Sequence, residues 1–357
     1  MAEQKSILNV VMGAMTFGYE GTDGARLHTP AAVTEVLDVF QKHGHKEIDT
    51  ARVYTSGTSE ELLGQINYKD RGLIMETKLY PFPVCFSAHC APPVTLNQSV
   101  GLESLSTTLL RYNVALPMSN FTQIPTDPLQ GLRKHLDDSL KALKTEQLDM
   151  WYLHGPDRST PYHVTMKTVN ELYKEGKFKK LGISNYAAWE VAEIVYICQT
   201  NGYIQPTVYQ GIYNAIHRGV EPELFPCLRK FGISFYAFNA LGGGFFTGKY
   251  SSIKDEVPTG TRFDPSKKQG QSYRNRYWKE PYFQAVDLVR ATCDAHGLTM
   301  AEVALRWISN HSKMKREHGD SVIIGASSVK HIEQNLVDLE KGPLRESLHD
   351  GALYTGS

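Results

Sequence analysis

The stretch LDMWYLHGPD, at residues 148–157, is a short apolar run that gives way abruptly to polar and turn-forming residues. A run this short, bounded in this way, is typical of a buried strand of a parallel sheet. Seven further runs of this kind lie at residues 8–12, 46–49, 73–77, 180–183, 207–209, 233–237 and 322–324. The sequence therefore predicts eight short strands.

Segments with helical periodicity separate these strands. Residues 31–43 place Val33, Val36, Leu37 and Phe40 on one face and stop at Gly44, which suits a helix C-terminus. Similar patterns lie at residues 131–143, 163–175 and 282–295. Eight strands that alternate with helices predict an α/β fold, either a closed parallel barrel or a doubly wound sheet.

Length and composition fit one large soluble domain over residues 1–357. The 38 basic and 38 acidic residues balance, which argues against a nucleic-acid or anionic-membrane surface. Five scattered cysteines fit a reducing compartment better than a disulfide framework. Neither a secretory signal nor an apolar stretch of about 18 residues is visible, so we expect a cytoplasmic protein with no membrane span.

Polar or small residues stand where the predicted strands end. They are Asp49, Lys78, His154, Ser184, Asn185, Gln210, Asn239 and Gly325. In a parallel barrel all of these ends meet at one rim, where active sites form. A single aspartate after a strand is more often a helix cap, but a polar or small residue at nearly every strand end indicates a site.

Four residues near these ends suit carbonyl reduction. The phenol of Tyr54 has an ordinary pKa of about 10, and a lysine held against it would lower that value. Lys78 can take this part and Asp49 can keep it charged, while His154 can orient a carbonyl oxygen. Hydride addition leaves negative charge on that oxygen, so the reaction needs such an acid.

These residues resemble the aldo-keto reductase family. EIDTA at 47–51, followed by Tyr54, resembles the family's segment with its aspartate and tyrosine; ETK at 76–78 resembles its lysine strand, and WYLHGPD at 151–157 its histidine strand. The resemblance covers about residues 7–81 and 129–343. Within the family, YLHGPD, YRNRYW (273–278) and EQNL (333–336) are closest to the aflatoxin-aldehyde reductase branch.

The resemblance implies a (β/α)8 TIM barrel that reduces aldehydes, dialdehydes and ketones with hydride from NADPH. It makes Tyr54 the proton donor, tuned by Lys78 and Asp49, with His154 orienting the carbonyl. It implies that Gln210 and a tyrosine of this strand, in VYQ (208–210) followed by YN (213–214), hold the nicotinamide ring. The cofactor-binding residues that it implies are Ser184, Asn185, Gln210, Asn239, Leu241, Gly243, Lys249, Gly325, Ser327, Ser328, Gln334 and Asn335.

NADPH is expected over NADH, although the usual phosphate ligands differ. In much of the family a lysine and an arginine near the last strand bind the 2′-phosphate; Ala326 and His331 stand at those places here, with Ser327, Ser328 and Lys330 nearby. Hydroxyls and one lysine bind phosphate less decisively than an arginine fork. The partner is therefore a small carbonyl compound, and the family admits a homodimer.

Two other binding patterns do not carry a site. Residues 243–249 match G-x-x-x-x-G-K, but Tyr250 follows where a phosphate loop has Ser or Thr. Cys85, His89 and Cys90 have no second pair of ligands near them in sequence, so we predict no metal site.

Two regions depart from the family pattern. Residues 82–112 have no sustained period, and their removal gives the family's usual loop length, so we predict a disordered insertion after the third strand. The residues after Pro343 predict a shortened C-terminus. Two alternatives to an active reductase follow: a cofactor-binding regulatory barrel resembling potassium-channel β-subunits, and a catalytically impaired gene product.

Overall fold

The computed structural model describes residues 3–81 and 128–345, with side chains in the second range from residue 131 onward. Eight parallel strands form a closed barrel in chain order, β1 to β8. They are β1 (Asn9–Gly13), β2 (Glu47–Asp49), β3 (Ile74–Leu79), β4 (Leu148–Leu153), β5 (Phe178–Ser184), β6 (Pro206–Ile212), β7 (Ser234–Phe238) and β8 (Ser321–Gly325). The predicted TIM barrel is confirmed over the doubly wound sheet.

The barrel closes between its first and last strands. β8 pairs with β1 over five residues, from Asn9 with Ser321 to Gly13 with Gly325. Asp49 lies beside Gly13 on one side and beside Glu76 on the other. This register brings the carboxyl ends of distant strands to one rim.

Ten α-helices lie in the described part of the chain. They are α1 (Pro30–Lys42), α2 (Thr58–Leu63), α3 (Pro128–Ala142), α4 (Tyr162–Lys174), α5 (Ala188–Asn201), α6 (Leu224–Phe231), α7 (Lys268–Tyr277), α8 (Glu280–His296), α9 (Met300–Asn310) and α10 (Val329–Glu340). The four helices predicted from periodicity correspond to α1, α3, α4 and α8. In α1 the Thr29 hydroxyl accepts from the Ala32 amide, and the predicted apolar face is buried.

The strands divide the apolar residues into two cores. The larger core lies between the barrel and its helices and includes Trp151 and Trp307. A smaller cluster with Met150, Tyr152 and Tyr236 fills the barrel interior. Alternation along β3 sends Glu76 and Lys78 inward as well, so this interior carries charge as well as apolar packing.

Two features of the sequence lie beyond the described ranges. The predicted insertion at residues 82–112 is one, and the predicted shortened C-terminus beyond residue 345 is the other. Within residues 3–81 and 128–345 no helix combines the length and apolar character needed to cross a bilayer.

Candidate active site

Lys78 and Asp49 form a buried ion pair at the rim. The Lys78 Nζ donates to both Asp49 carboxylate oxygens, at 2.6 Å each, and to the carbonyl oxygen of Thr50 at 2.8 Å. Both side chains are almost completely buried. The side-chain amide of Gln210 donates to the same carboxylate at 2.8 Å. Asp49 therefore fixes Lys78 from one side while Gln210 holds Asp49 from another.

Tyr54 is held above this pair by an unusual turn. The Tyr54–Gly57 3-10 turn contains three successive residues with left-handed backbone, Thr55, Ser56 and Gly57. The Thr55 hydroxyl donates to the Phe17 carbonyl at 2.8 Å. Gly57 has φ of +92°, a left-handed backbone that favours glycine, and a Cβ there would also displace the Arg52 guanidinium, 2.5 Å away. The turn leaves Lys78 Nζ 5.0 Å from the centroid of the Tyr54 ring.

Burial has the largest effect on the state of the Tyr54 phenol. Loss of solvent raises the pKa of the Tyr54 phenol well above its usual value, and the charge on Asp49 raises it further. The positive charge of Arg262 opposes this rise but does not cancel it. Tyr54 is therefore a neutral phenol, which is the form that can donate a proton.

His154 faces Tyr54 as a neutral imidazole. Its ring meets the Tyr54 ring edge-on, with centroids 5.8 Å apart. Burial, followed by the nearby charge of Lys78, lowers the His154 pKa well below its usual value. Its Nδ1 is buried and has no hydrogen-bond partner among the residues that the structure describes. A neutral ring in this position has one N–H to offer a carbonyl oxygen.

Tyr80 belongs to the same site and was not identified from the sequence. Its ring stacks on His154 with centroids 4.3 Å apart and planes inclined by 14°. Gly155 permits this packing, since a Cβ there would approach the Tyr80 ring to 2.9 Å. Tyr80 directly follows β3, so the rule that selected the other strand-end residues would have found it.

Ser184 and Asn185 extend the rim at the end of β5. Ser184 is buried, and Asn185 adopts a left-handed backbone with φ of 64°. The Asn185 amide donates to the His154 carbonyl at 2.9 Å and to the Ser184 hydroxyl at 3.0 Å. These contacts place two of the predicted cofactor residues beside the predicted catalytic histidine.

The loop after β7 forms a second section of the rim. Asn239 has a left-handed backbone, and its side-chain oxygen accepts from the Tyr273 hydroxyl at 3.2 Å. Leu241 precedes the Gly242–Thr247 3-10 turn. Gly243 has φ of +67°, and a Cβ there would meet the Tyr273 ring at 2.3 Å. Lys249, beyond this turn, is exposed and lies over the Tyr250 ring.

The end of β8 and the start of α10 form a third section. Gly325 and Ser327 are exposed, and the Ser328 hydroxyl caps α10 by accepting from the His331 amide at 3.2 Å. The Ser327 hydroxyl contacts His331 Nδ1 at 2.9 Å. One turn further on, Gln334 is exposed and donates to Asp338 at 3.1 Å, while Asn335 is buried.

One tyrosine that could hold the nicotinamide ring lies away from the rim. Tyr213 is fully buried, donates to Glu221 at 2.6 Å and packs edge-on against Trp307. Its ring therefore belongs to the outer core.

The residue pattern YRNRYW, noted in the sequence, forms the end of α7 and its C-cap Trp278, beside the rim. Tyr273 contacts Asn239, as described, and accepts from the Arg262 guanidinium at 3.0 Å. Arg276 lies close enough to Tyr80 for its charge to oppose the rise in the pKa of that phenol. The spacing of the motif did not indicate that Arg276 lies near Tyr80.

The rim fits a dinucleotide with a nicotinamide. Asn239 Nδ2 is buried without a hydrogen-bond partner in the described part of the chain, and so can donate to a ligand. At Gly244, with φ of +102°, a Cβ would meet nothing within 4 Å, which leaves space for close approach to the backbone. The N-terminus of α10 offers amides of the kind that bind phosphate. Among the described residues there is no cluster of His, Cys, Asp and Glu that could hold a metal; Cys85, His89 and Cys90 lie outside them.

A cavity of about 800 Å³ lies near the starts of β3, β4 and β5, lined by residues such as Leu73, Asp149 and Lys179. The rim is identified by its chemistry.

Comparison with known proteins agrees with this chemistry. The model of the aldo/keto reductase family matches residues 9–349. An aldo-keto reductase of Pseudocercospora fijiensis is 45% identical over 88% of this chain and 93% of its own length. The human aldo-keto reductase family 7 member A3 is 41% identical, over 95% of this chain and 91% of its own length. The human aflatoxin B1 aldehyde reductase member 2 is 40% identical, over 92% and 82%.

These relatives identify the chain as an oxidoreductase that reduces carbonyl groups with a nicotinamide cofactor, and they do not favour the regulatory or impaired alternatives. The chain belongs to the aldo/keto reductase family.

Proposed function

We propose that this protein reduces aldehydes with NADPH and that Tyr54 protonates the product oxygen. The observation that carries the proposal is the geometry of four side chains at one rim. Lys78 is bound to Asp49 and lies 5.0 Å from the Tyr54 ring centroid, while His154 meets that ring edge-on.

The four side chains have different roles in the reduction of the carbonyl group. When bound, the reduced nicotinamide supplies a hydride to the carbonyl carbon. Negative charge then develops on the oxygen, and the neutral Tyr54 donates its proton there. An alkoxide is a far stronger base than a phenolate, so the transfer is favourable even from a phenol whose pKa is raised. The charged Lys78 stabilises the phenolate that remains.

His154 orients the carbonyl oxygen and does not itself protonate it. As a neutral imidazole it can donate one hydrogen bond to the oxygen without protonating it. Stacking on Tyr80 fixes the plane of the ring, and Tyr80 also covers one of its faces. The substrate oxygen is therefore positioned between a hydrogen-bond donor and a proton donor.

The preference for NADPH is supported by the start of α10. Ser328 already caps this helix and Ser327 contacts His331, so neither hydroxyl is the strongest candidate for the 2′-phosphate. Lys330 is exposed and forms no ion pair with the residues that the structure describes. We propose that Lys330 provides the positive charge for the phosphate.

The relatives suggest the class of substrate. Several are named for the reduction of aflatoxin B1 aldehyde, and we extend this to reactive aldehydes, including dialdehydes and ketones, for this chain. A cytoplasmic location and a homodimer remain predictions. Free thiols at Cys198, Cys227 and Cys293 are compatible with a reducing compartment.

Replacement of Tyr54 by phenylalanine tests the mechanism. The change removes the transferable proton and keeps the ring against Lys78 and His154, so turnover is expected to fall on the order of 10²-fold or more. The dissociation constant of NADPH, measured by quenching of protein fluorescence, should change little because the proposed cofactor contacts come from β5 onward. Turnover close to that of the unmodified protein would remove Tyr54 from the mechanism.

A further inference from the structure

Glu76 is a second buried carboxyl group beneath the proposed catalytic pair. It lies two residues before Lys78 on β3, so both side chains face the barrel interior. Its Cα is paired with that of Asp49 on the neighbouring strand, and its side chain is completely buried. The proposed mechanism assigns no part to this group.

Glu76 forms no ion pair with a cationic side chain among the described residues. The Tyr152 hydroxyl donates to Glu76 Oε2 at 3.0 Å, and Oε1 has no partner among the described residues. Lys78 donates three hydrogen bonds, two to Asp49 and one to the carbonyl oxygen of Thr50. Two buried carboxyl groups therefore share the surroundings of one ammonium group, and only Asp49 is bonded to it.

The groups that face Glu76 come from four strands. They are Glu47 and Asp49 of β2, Lys78 of β3, Tyr152 of β4 and Tyr236 of β7. Burial raises the pKa of Glu76 well above its usual value, and the charges of Glu47 and Asp49 raise it further. The Tyr152 hydrogen bond and the charge of Lys78 oppose this rise but do not cancel it. Glu76 therefore holds its proton to higher pH than an ordinary glutamic acid does.

Tyr152 connects Glu76 to Lys78 physically. The Tyr152 ring lies under the ammonium group, with Nζ 5.8 Å from the ring centroid. Gly182 makes room for this ring, since a Cβ there would meet it at 2.2 Å. The hydroxyl of the same ring donates to Glu76 and would stabilise the carboxylate that forms when Glu76 loses its proton.

We propose that Glu76 is a positioning residue that keeps Lys78 charged in alkaline solution by losing its own proton before Lys78 does. The proposal rests on the role assigned to Lys78 in the proposed function. Burial is the largest influence on the pKa of Lys78 and lowers it, so the ammonium would lose its charge at a lower pH than that of an exposed lysine. Once Glu76 is ionised, its negative charge beside Lys78 raises the pKa of the ammonium again. The Lys78 charge that stabilises the Tyr54 phenolate thus persists to higher pH.

The test compares pH profiles of turnover in matched variants. Glu76→Gln keeps the shape of the side chain but cannot ionise, so the alkaline limb of kcat is expected to move to lower pH by about one unit or more. Glu47→Gln is the control, because Glu47 also faces the interior but is held by Asn9 and Tyr236. The control should not move the limb to lower pH. An unmoved limb in Glu76→Gln, or an equal shift in Glu47→Gln, would overturn the proposal.

A second variant keeps the proposal testable if Glu76→Gln does not fold. Tyr152→Phe retains Glu76 but removes the donor to its carboxylate, so Glu76 should hold its proton to higher pH. The alkaline limb should then move in the same direction as in Glu76→Gln, by a smaller amount. A limb that stays in place in a folded Tyr152→Phe protein contradicts the proposal.

A spectroscopic measurement separates this proposal from the proposed reaction. The infrared difference spectrum between the unmodified protein and Glu76→Gln should contain the carbonyl band of a protonated carboxylic acid at neutral pH. That band should vanish at a lower pH than the one at which turnover is lost. Its absence at neutral pH overturns the role of Glu76. A band without any aldehyde turnover would instead refute the proposed function.

Discussion

Replacement of Lys78 by methionine would remove the charge at the centre of the proposed site. Methionine is close in length to lysine and apolar, so it fills much of the same space in the barrel interior. The change also removes three hydrogen bonds, of 2.6, 2.6 and 2.8 Å, to Asp49 and Thr50. The Asp49 carboxylate would then remain buried with Gln210 as its remaining side-chain donor.

Two losses of different origin are expected. Removing one partner of a buried ion pair typically costs about 3–5 kcal/mol of stability, because the other charge is left uncompensated. Turnover should also fall on the order of 10²-fold or more, because the Tyr54 phenolate loses its stabilising charge. The single variant alone cannot separate these effects, since a destabilised barrel also loses activity.

The double variant Lys78→Met with Asp49→Asn separates them. With both charges absent, no buried charge is left unpaired, so most of the lost stability should return. Turnover should stay low, because the phenolate still lacks a cation. Stability is measured by urea unfolding and turnover by oxidation of NADPH in the presence of an aldehyde. A double variant that recovers turnover along with stability would show that Lys78 and Asp49 have a structural role only.

Two further predictions address the cofactor and the stability of the barrel. Lys330→Glu should raise the dissociation constant of NADPH and leave that of NADH nearly unchanged; equal weakening of both would exclude Lys330 as the 2′-phosphate ligand. Burial lowers the pKa of His45 from 6.5 to about 4. Below pH 6.5 the unfolded chain therefore binds a proton at this histidine that the folded chain does not bind. Stability should therefore decrease as pH falls from 7 to 5, by about 2 kcal/mol from this group. His45→Leu should remove that part of the decrease, and a decrease equal to that of the unmodified protein in urea unfolding would contradict it.

The position of the site could be predicted from the sequence because parallel strands impose a simple geometry. Asp49, Lys78 and His154 each stand at or next to the end of a short apolar run, and the ends of parallel strands share one rim. The same reasoning would have included Tyr80. It did not reach Arg262 or Arg276, because they lie in the long connection after β7, where strand alternation gives no information.

The sequence by itself determined the eight strands, the helical faces and the rim on which the polar residues meet, because each of these follows from local periodicity and chain connectivity. Tertiary structure alone decided the chemical state of the groups at that rim. Gln210 reaches Asp49 across 161 residues of sequence, and Tyr213 turns into the outer core. Burial and the charge of Asp49 raise the pKa of Tyr54, and burial together with the charges of Glu47 and Asp49 raises the pKa of Glu76. Such states depend on burial and on which distant partner takes each hydrogen bond, and neither is encoded in local pattern.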